Sequence, residues 1–192
     1  MKKTYQIKIF LKGSQPRIWR RILVSPETPL PDFHKIIQST MGWTNYHLHQ
    51  FRKGDAIYSP KLEDDDFWGD MDKIDYSTKK VSDLLKKEKD KIIYDYDFGD
   101  GWTHDILLEK IIMDQEFDYL PVCIKGKNNC PPEDCGGIWG YEYLLETLNN
   151  PEAKNYEETI EWVGEDFDPE YFNKDEINDK LRSENFGCFD FY

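Results

Sequence analysis

Apolar and polar residues alternate through residues 4 to 12 and 17 to 25, the period of two that marks half-buried strands. Gly13-Ser14-Gln15-Pro16 between them predicts an N-terminal hairpin. The period then changes. Phe33, Ile36, Ile37, Thr40 and Met41 recur at helical spacing behind Pro29-Leu30-Pro31-Asp32, and Gly42 supplies the stop, so a helix from about Pro31 to Met41 is expected to bury that face. Residues 46 to 53 and 56 to 59 read as short strands joined by Gly54-Asp55. Val81-Ser82-Asp83-Leu84-Leu85 reads as one helical turn, and residues 91 to 98 with 102 to 112 form a second hairpin around Asp100-Gly101. The order ββαββ, short helix, ββ is that of an α+β fold, a β-grasp-like mixed sheet with one packed helix, extended by a β-hairpin.

Beyond residue 112 the pattern turns helical. Starts are predicted near Gly136-Gly137, Asn150-Pro151-Glu152, Asp168-Pro169-Glu170 and Asn173 with Glu176, giving a C-terminal helical annex. The expected organisation is a single domain over 1–192, with 1–112 the β-rich core and 113–192 the acidic annex. The terminal Phe186-Gly187-Cys188-Phe189-Asp190-Phe191-Tyr192 is too aromatic to be left in water and should pack back on the core or on a partner.

Charge sharpens this division. Residues 1–112 carry 19 basic and 18 acidic side chains, whereas 113–192 carry 6 and 20. The net charge of −13 opposes phosphate backbones and anionic membrane surfaces, so neither strong nucleic-acid binding nor membrane binding is expected. No apolar run approaches a bilayer span, and Tyr5 to Leu11 alternates instead of forming a signal-peptide core. A cytoplasmic location is the expectation.

The hairpin segment Tyr94 to His104 combines strand alternation with ionisable groups. A two-residue turn at Asp100-Gly101 places Asp97 opposite His104, a pair able to tune an imidazole or merely to satisfy a buried one. His47-Leu48-His49 in a strand would present both imidazoles on the face of Phe51. Cys123, Cys130 and Cys135, spaced by six and four residues, read as reduced buried thiols, with a structural zinc site, His104 included, as the alternative; no other cofactor is expected. Asp64-Asp65-Asp66 with Asp70, Asp72 and Asp75 lacks the glycine and glutamate of an EF-hand loop and reads as a solvated acidic stretch within a long excursion from Pro60 to Lys80. P-loop, nucleophile-elbow, zincin and dinucleotide signatures are all missing.

Four ordered motifs carry a resemblance. Pro16-Arg17-Ile18-Trp19-Arg20-Arg21, Met41-Gly42-Trp43 with His47 to Phe51, Tyr96 to His104, and Pro131 to Gly137 with Gly140-Tyr141 are similar to those of the Ri-plasmid ORF-three-like family. The resemblance implies a small plasmid- or mobile-element-associated protein without an established activity, in a family some of whose members carry a resolvase-like label. Ser14 beside Arg17, Arg20 and Arg21 superficially fits a serine recombinase, but the acidic C-terminal part would repel DNA, and that reading is rejected.

Two functions remain in competition. The favoured one is a non-catalytic binding module whose aromatic and histidine-lined groove, built from His47, His49, Phe51, Asp97, Asp100, Trp102, His104, Glu133 and Asp134, takes a protein or a small polar ligand. The other is a metal-assisted hydrolase or nuclease using a subset of the same histidines and carboxylates.

Overall fold

The computed structural model describes residues 2–61 and 73–189. Asp64, Asp65, Asp66, Asp70 and Asp72 lie outside them, as do Phe67, Trp68 and the last three residues of the aromatic tail, Asp190, Phe191 and Tyr192. The described strands are β1 (Lys3–Leu11), β2 (Trp19–Val24), β3 (His49–Lys53), β4 (Ala56–Ser59), β5 (Lys73–Asp75), β6 (Lys91–Tyr96), β7 (Trp102–Met113) and β8 (Val122–Lys127). They form one sheet in the order β5-β4-β3-β6-β7-β1-β2-β8. The sheet is mixed, as expected, and its described parallel pair, β4 with β5, sits at an edge.

Helix α1 (Leu30–Met41) lies on the sheet with Phe33, Ile36, Ile37 and Met41 buried, as the periodicity predicts. It ends where Gly42 takes a left-handed φ of 105° and its N–H caps Gln38 O. A single turn, α2 (Val81–Leu84), follows β5. Alternation along β1, β6 and β7 sends Ile7, Ile9, Tyr94, Tyr96, Trp102 and Ile106 into the same core.

The C-terminal part contains α3 (Gly137–Leu148), α4 (Tyr156–Val163) and α5 (Lys174–Arg182). Asn173 caps α5, accepting from the N–H groups of Asp175 and Glu176, while its amide donates to Glu176 Oε1 at 2.8 Å. Three differences from the sequence reading stand out. Residues 151–155 make turns, so α4 opens at Tyr156 and not at Asn150-Pro151-Glu152. The Asp168-Pro169-Glu170 segment makes turns instead of opening a helix, and β8 lies within the stretch assigned to the helical annex, where it pairs with β2. On its outer side Cys123 N donates to Asn178 Oδ1 at 2.7 Å, and Asn178 Nδ2 donates back to Cys123 O at 3.0 Å.

The described part of the aromatic tail packs back as expected. Phe189 N donates to Thr44 O at 3.3 Å, its ring lies 5.4 Å from that of Tyr46, and Cys188 is buried against α1. Among the described residues no helix is long and apolar enough to cross a membrane.

Candidate functional site

The hairpin expected to carry the site has a different register. Tyr94 faces His104, Asp95 faces Thr103 and Tyr96 faces Trp102, so residues 97–101 form a five-residue loop and Asp97 is not the cross-strand partner of His104. Asp97 itself makes the turn. It adopts φ of 54°, which aspartate tolerates better than most residues, and its Oδ1 accepts from Gly99 N at 2.9 Å and Asp100 N at 3.3 Å. Those bonds fix Oδ1 and leave Oδ2 facing His47 Nε2 at 3.8 Å.

His104 is instead interior. Its ring lies 5.3 Å from Trp43 and 5.5 Å from Tyr94, and neither ring nitrogen has a hydrogen-bond partner. Burial pushes its pKa down to about 4, against the weaker upward pull of the Tyr94 and Trp102 backbone and the Asp95 charge. Trp102 and Phe51 are also fully buried.

The two histidines of His47-Leu48-His49 part company, because only His49 lies in β3. His49 stacks on His34 of α1 with ring centroids 3.4 Å apart and planes within 1°, and its Nε2 meets Tyr76 OH at 2.6 Å. His34 has a defined tautomer. Its Nε2 faces the acceptor Asn45 Oδ1 at 2.7 Å and must carry the proton, so Nδ1 accepts from Tyr94 OH at 2.7 Å. Burial holds His34 down at about 3 and keeps His49 well below the usual range. The pair is buried and borders a cavity of about 260 Å³ with Asn45 and Tyr76, and among the described residues it joins no group of three metal-ligating side chains.

His47 precedes the strand and points to the surface. There it meets a loop that the hairpin itself holds in place. Trp43 Nε1 donates to Pro131 O at 3.0 Å, Tyr96 OH donates to Glu133 Oε1 at 2.7 Å, and Gly136 N donates to Asp100 Oδ2 at 3.1 Å. Burial, reinforced by the Glu133 carboxylate, raises the Tyr96 pKa, so that phenol stays a donor. The approach is close enough to demand glycine: a Cβ on Gly137, whose φ is 68°, would lie 2.3 Å from Asp100 O. Docking the loop brings Asp134 Oδ1 to 3.3 Å from His47 Nε2.

His47, Asp97 and Asp134 thus converge from three segments, each offering a ligand atom within 4.8 Å of the others. His47 Nε2 is itself buried and makes no hydrogen bond, although the side chain as a whole is 28% exposed. A family model described as plasmid pRiA4b ORF-3-like protein matches residues 3–176, which span all three segments. The chain belongs to this family. It is 36% identical over 178 residues to an uncharacterized protein, y4hQ, of Sinorhizobium fredii, covering 90% of this chain and 88% of that one. It is also similar to a crystal structure of a protein of unknown function, MM3350, from Methanosarcina mazei Go1, with a TM-score of 0.79, 38% identity, and coverage of 91% of this chain and 97% of the other. Neither description assigns an activity.

In this ORF-3-like protein the expected groove therefore divides. His47, Asp97, Asp100, Glu133 and Asp134 come together at one surface junction, whereas Phe51, Trp102 and His104 are buried in the interior and His49 is buried beside a separate cavity. Cys123, Cys130 and Cys135 are free thiols, and among the described residues they do not form, with His104, a group able to share an ion. Burial raises the Cys123 pKa and lifts Cys130 and Cys135 to about 12, with Asp100 adding to the rise at Cys135. The sequence named every member of the surface cluster but missed Tyr96 and Trp43, which position its loop. Both belong to the quoted motifs, and a buried Tyr or Trp usually finds a partner for its polar end.

Proposed function

We propose that the chain is a non-catalytic accessory module that binds its partner through a divalent cation held by His47, Asp97 and Asp134. The observation that supports this is the convergence of one imidazole nitrogen and two carboxylates on a single point. Ligands about 2.0–2.1 Å from a tetrahedral zinc ion are about 3.3 Å from one another. The His47–Asp134 separation is 3.3 Å, and the His47–Asp97 separation of 3.8 Å needs only a small closure. Mixed nitrogen and oxygen donors suit a first-row cation such as Zn²⁺ better than Ca²⁺, which prefers six or more oxygens.

Three protein ligands leave coordination positions for a group from outside. Tyr46 and Phe98, adjacent in sequence to His47 and Asp97, are 52% and 54% exposed and offer apolar surface to a protein segment or small polar ligand. The hydrolytic reading is disfavoured because His34, His49 and His104 are buried away from the three-ligand cluster, and Glu133 is engaged by Tyr96. Calorimetric titration of the chelator-treated protein with Zn²⁺ and Co²⁺ tests the proposal. One site is expected, weakened about tenfold or more in His47→Ala and Asp97→Asn and unchanged in Cys135→Ser. Binding that survives His47→Ala, or that vanishes with Cys135, overturns it.

A further inference from the structure

Arg20 on β2 is only 3% exposed and, among the described residues, has no carboxylate within ion-pair distance. Its Nε donates to Thr40 O at 2.7 Å, and its Nη1 donates to Trp19 O at 2.9 Å and Lys127 O at 3.0 Å. That leaves the two N–H groups of Nη2 without an acceptor. Nη2 is not among the polar atoms sealed from solvent-sized space. The ring of Phe172 lies 5.1 Å from the guanidinium carbon. A charge taken out of water is costly unless it is compensated. The carbonyl of Thr40, in the last turn of α1, offers only the partial negative charge of a helix end.

The guanidinium borders a cavity of about 250 Å³ between the end of α1, the Asn129 loop and α5. Ser39, Asn129 and Asn173 contribute polar groups to its wall, and Lys180 and Glu176 are its exposed charged side chains. Glu176 is already occupied, accepting from Asn173 Nδ2 at 2.8 Å and Tyr171 OH at 2.6 Å. Met41, Phe172 and Ile177 supply apolar surface.

We propose that this cavity binds the oxyanion group, phosphate or carboxylate, of a small organic ligand, with Arg20 as the buried anchor and Lys180 as the second cation. Planar N–H donors suit either oxyanion. The volume exceeds the ~150 Å³ of a cavity that accepts benzene, so the ligand has room for an organic body beside its charged group. This site shares no ligand residue with the proposed metal cluster and stands or falls separately from it.

Calorimetry on the intact, chelator-treated chain, titrated in parallel with inorganic phosphate and with succinate, tests the assignment. Arg20 also ties three carbonyls together, and its replacement endangers folding, so the informative variants are at the exposed charges. Lys180→Ala should weaken binding about two- to fivefold and Glu176→Gln should tighten it by a similar factor, the range for a partly exposed charge. An NMR titration should move the Arg20 Nε–H resonance with the same saturation curve. Preference for phosphate would identify a phosphomonoester ligand, and preference for succinate an organic acid. Absence of saturation, an unmoved Arg20 resonance, or affinities indifferent to both variants would overturn the proposal.

Discussion

Three of the four histidines behave as interior groups, and this gives the protein a defined response to acid. His104 and His34 titrate at about 4 and about 3 in the folded chain, and His49 is also depressed. Each would return to about 6.5 on unfolding. The unfolded chain therefore binds more protons between these limits, and stability that is complete above pH 6.5 is lost as pH falls toward 4 and below. The slope is on the order of 1 kcal/mol per pH unit for each histidine involved. Urea denaturation across that window should show it, and His104→Phe should flatten it. Phenylalanine fills the same aromatic cage without two unpartnered nitrogens, so its advantage over the parent should grow as pH falls. A constant difference between the two proteins would mean that His104 does not titrate with folding.

At the scale of elements, docking of residues 131–137 on the hairpin controls whether the surface cluster exists. Gly137→Ala would drive a Cβ into Asp100 O and force a residue with a side chain into left-handed backbone. The expected cost is about 1–3 kcal/mol. Asp134 should move away from His47, so Zn²⁺ affinity should fall although no ligand has been altered. Unchanged affinity would show that the loop holds its place without this contact. The hairpin register beneath was legible, but the turn dipeptide pointed elsewhere. Pairing Ile92, Tyr94 and Tyr96 with Trp102, His104 and Ile106 on one buried face requires partner numbers with an even sum, as observed. A two-residue turn at Asp100-Gly101 gives an odd sum and would place Asp105 opposite Tyr96. The apolar pattern outweighed the turn because burial of a whole face is worth more than a preferred dipeptide. Helix α1 was readable to within a residue because its stripe, prolines and terminal glycine agree. The edge strand β8 was not. Val122 to Lys127 lacks a clean alternation, and Gly126 is there to admit the ring of Phe172, which a Cβ would meet at 2.3 Å.

For the whole molecule, a ligand that binds only the folded chain must raise its stability. Free Zn²⁺ at a hundred times its dissociation constant should add about 2.7 kcal/mol, visible as a higher thermal midpoint that chelator reverses. His47→Ala should show no such rise. Parent protein that gains nothing under saturating metal would count against a folded-state site. The cluster joins segments separated widely along the chain, and the sequence grouped its members only within a larger set; parting them from the buried His49, Phe51, Trp102 and His104 needed the sheet order and register.

The paired bonds between Asn178 and Cys123 have a consequence for self-association. A side-chain amide mimics the peptide group of a neighbouring strand, and here it occupies both hydrogen-bonding positions of a residue on the rim strand β8. The helix thus stands in for a ninth strand and denies that place to another molecule. Asn178→Leu would keep the bulk while vacating both positions, and concentration-dependent association should follow, detectable by light scattering before any loss of helix content. A variant that associated no more than the parent at high concentration would show that the body of α5, not its asparagine, is what closes the rim.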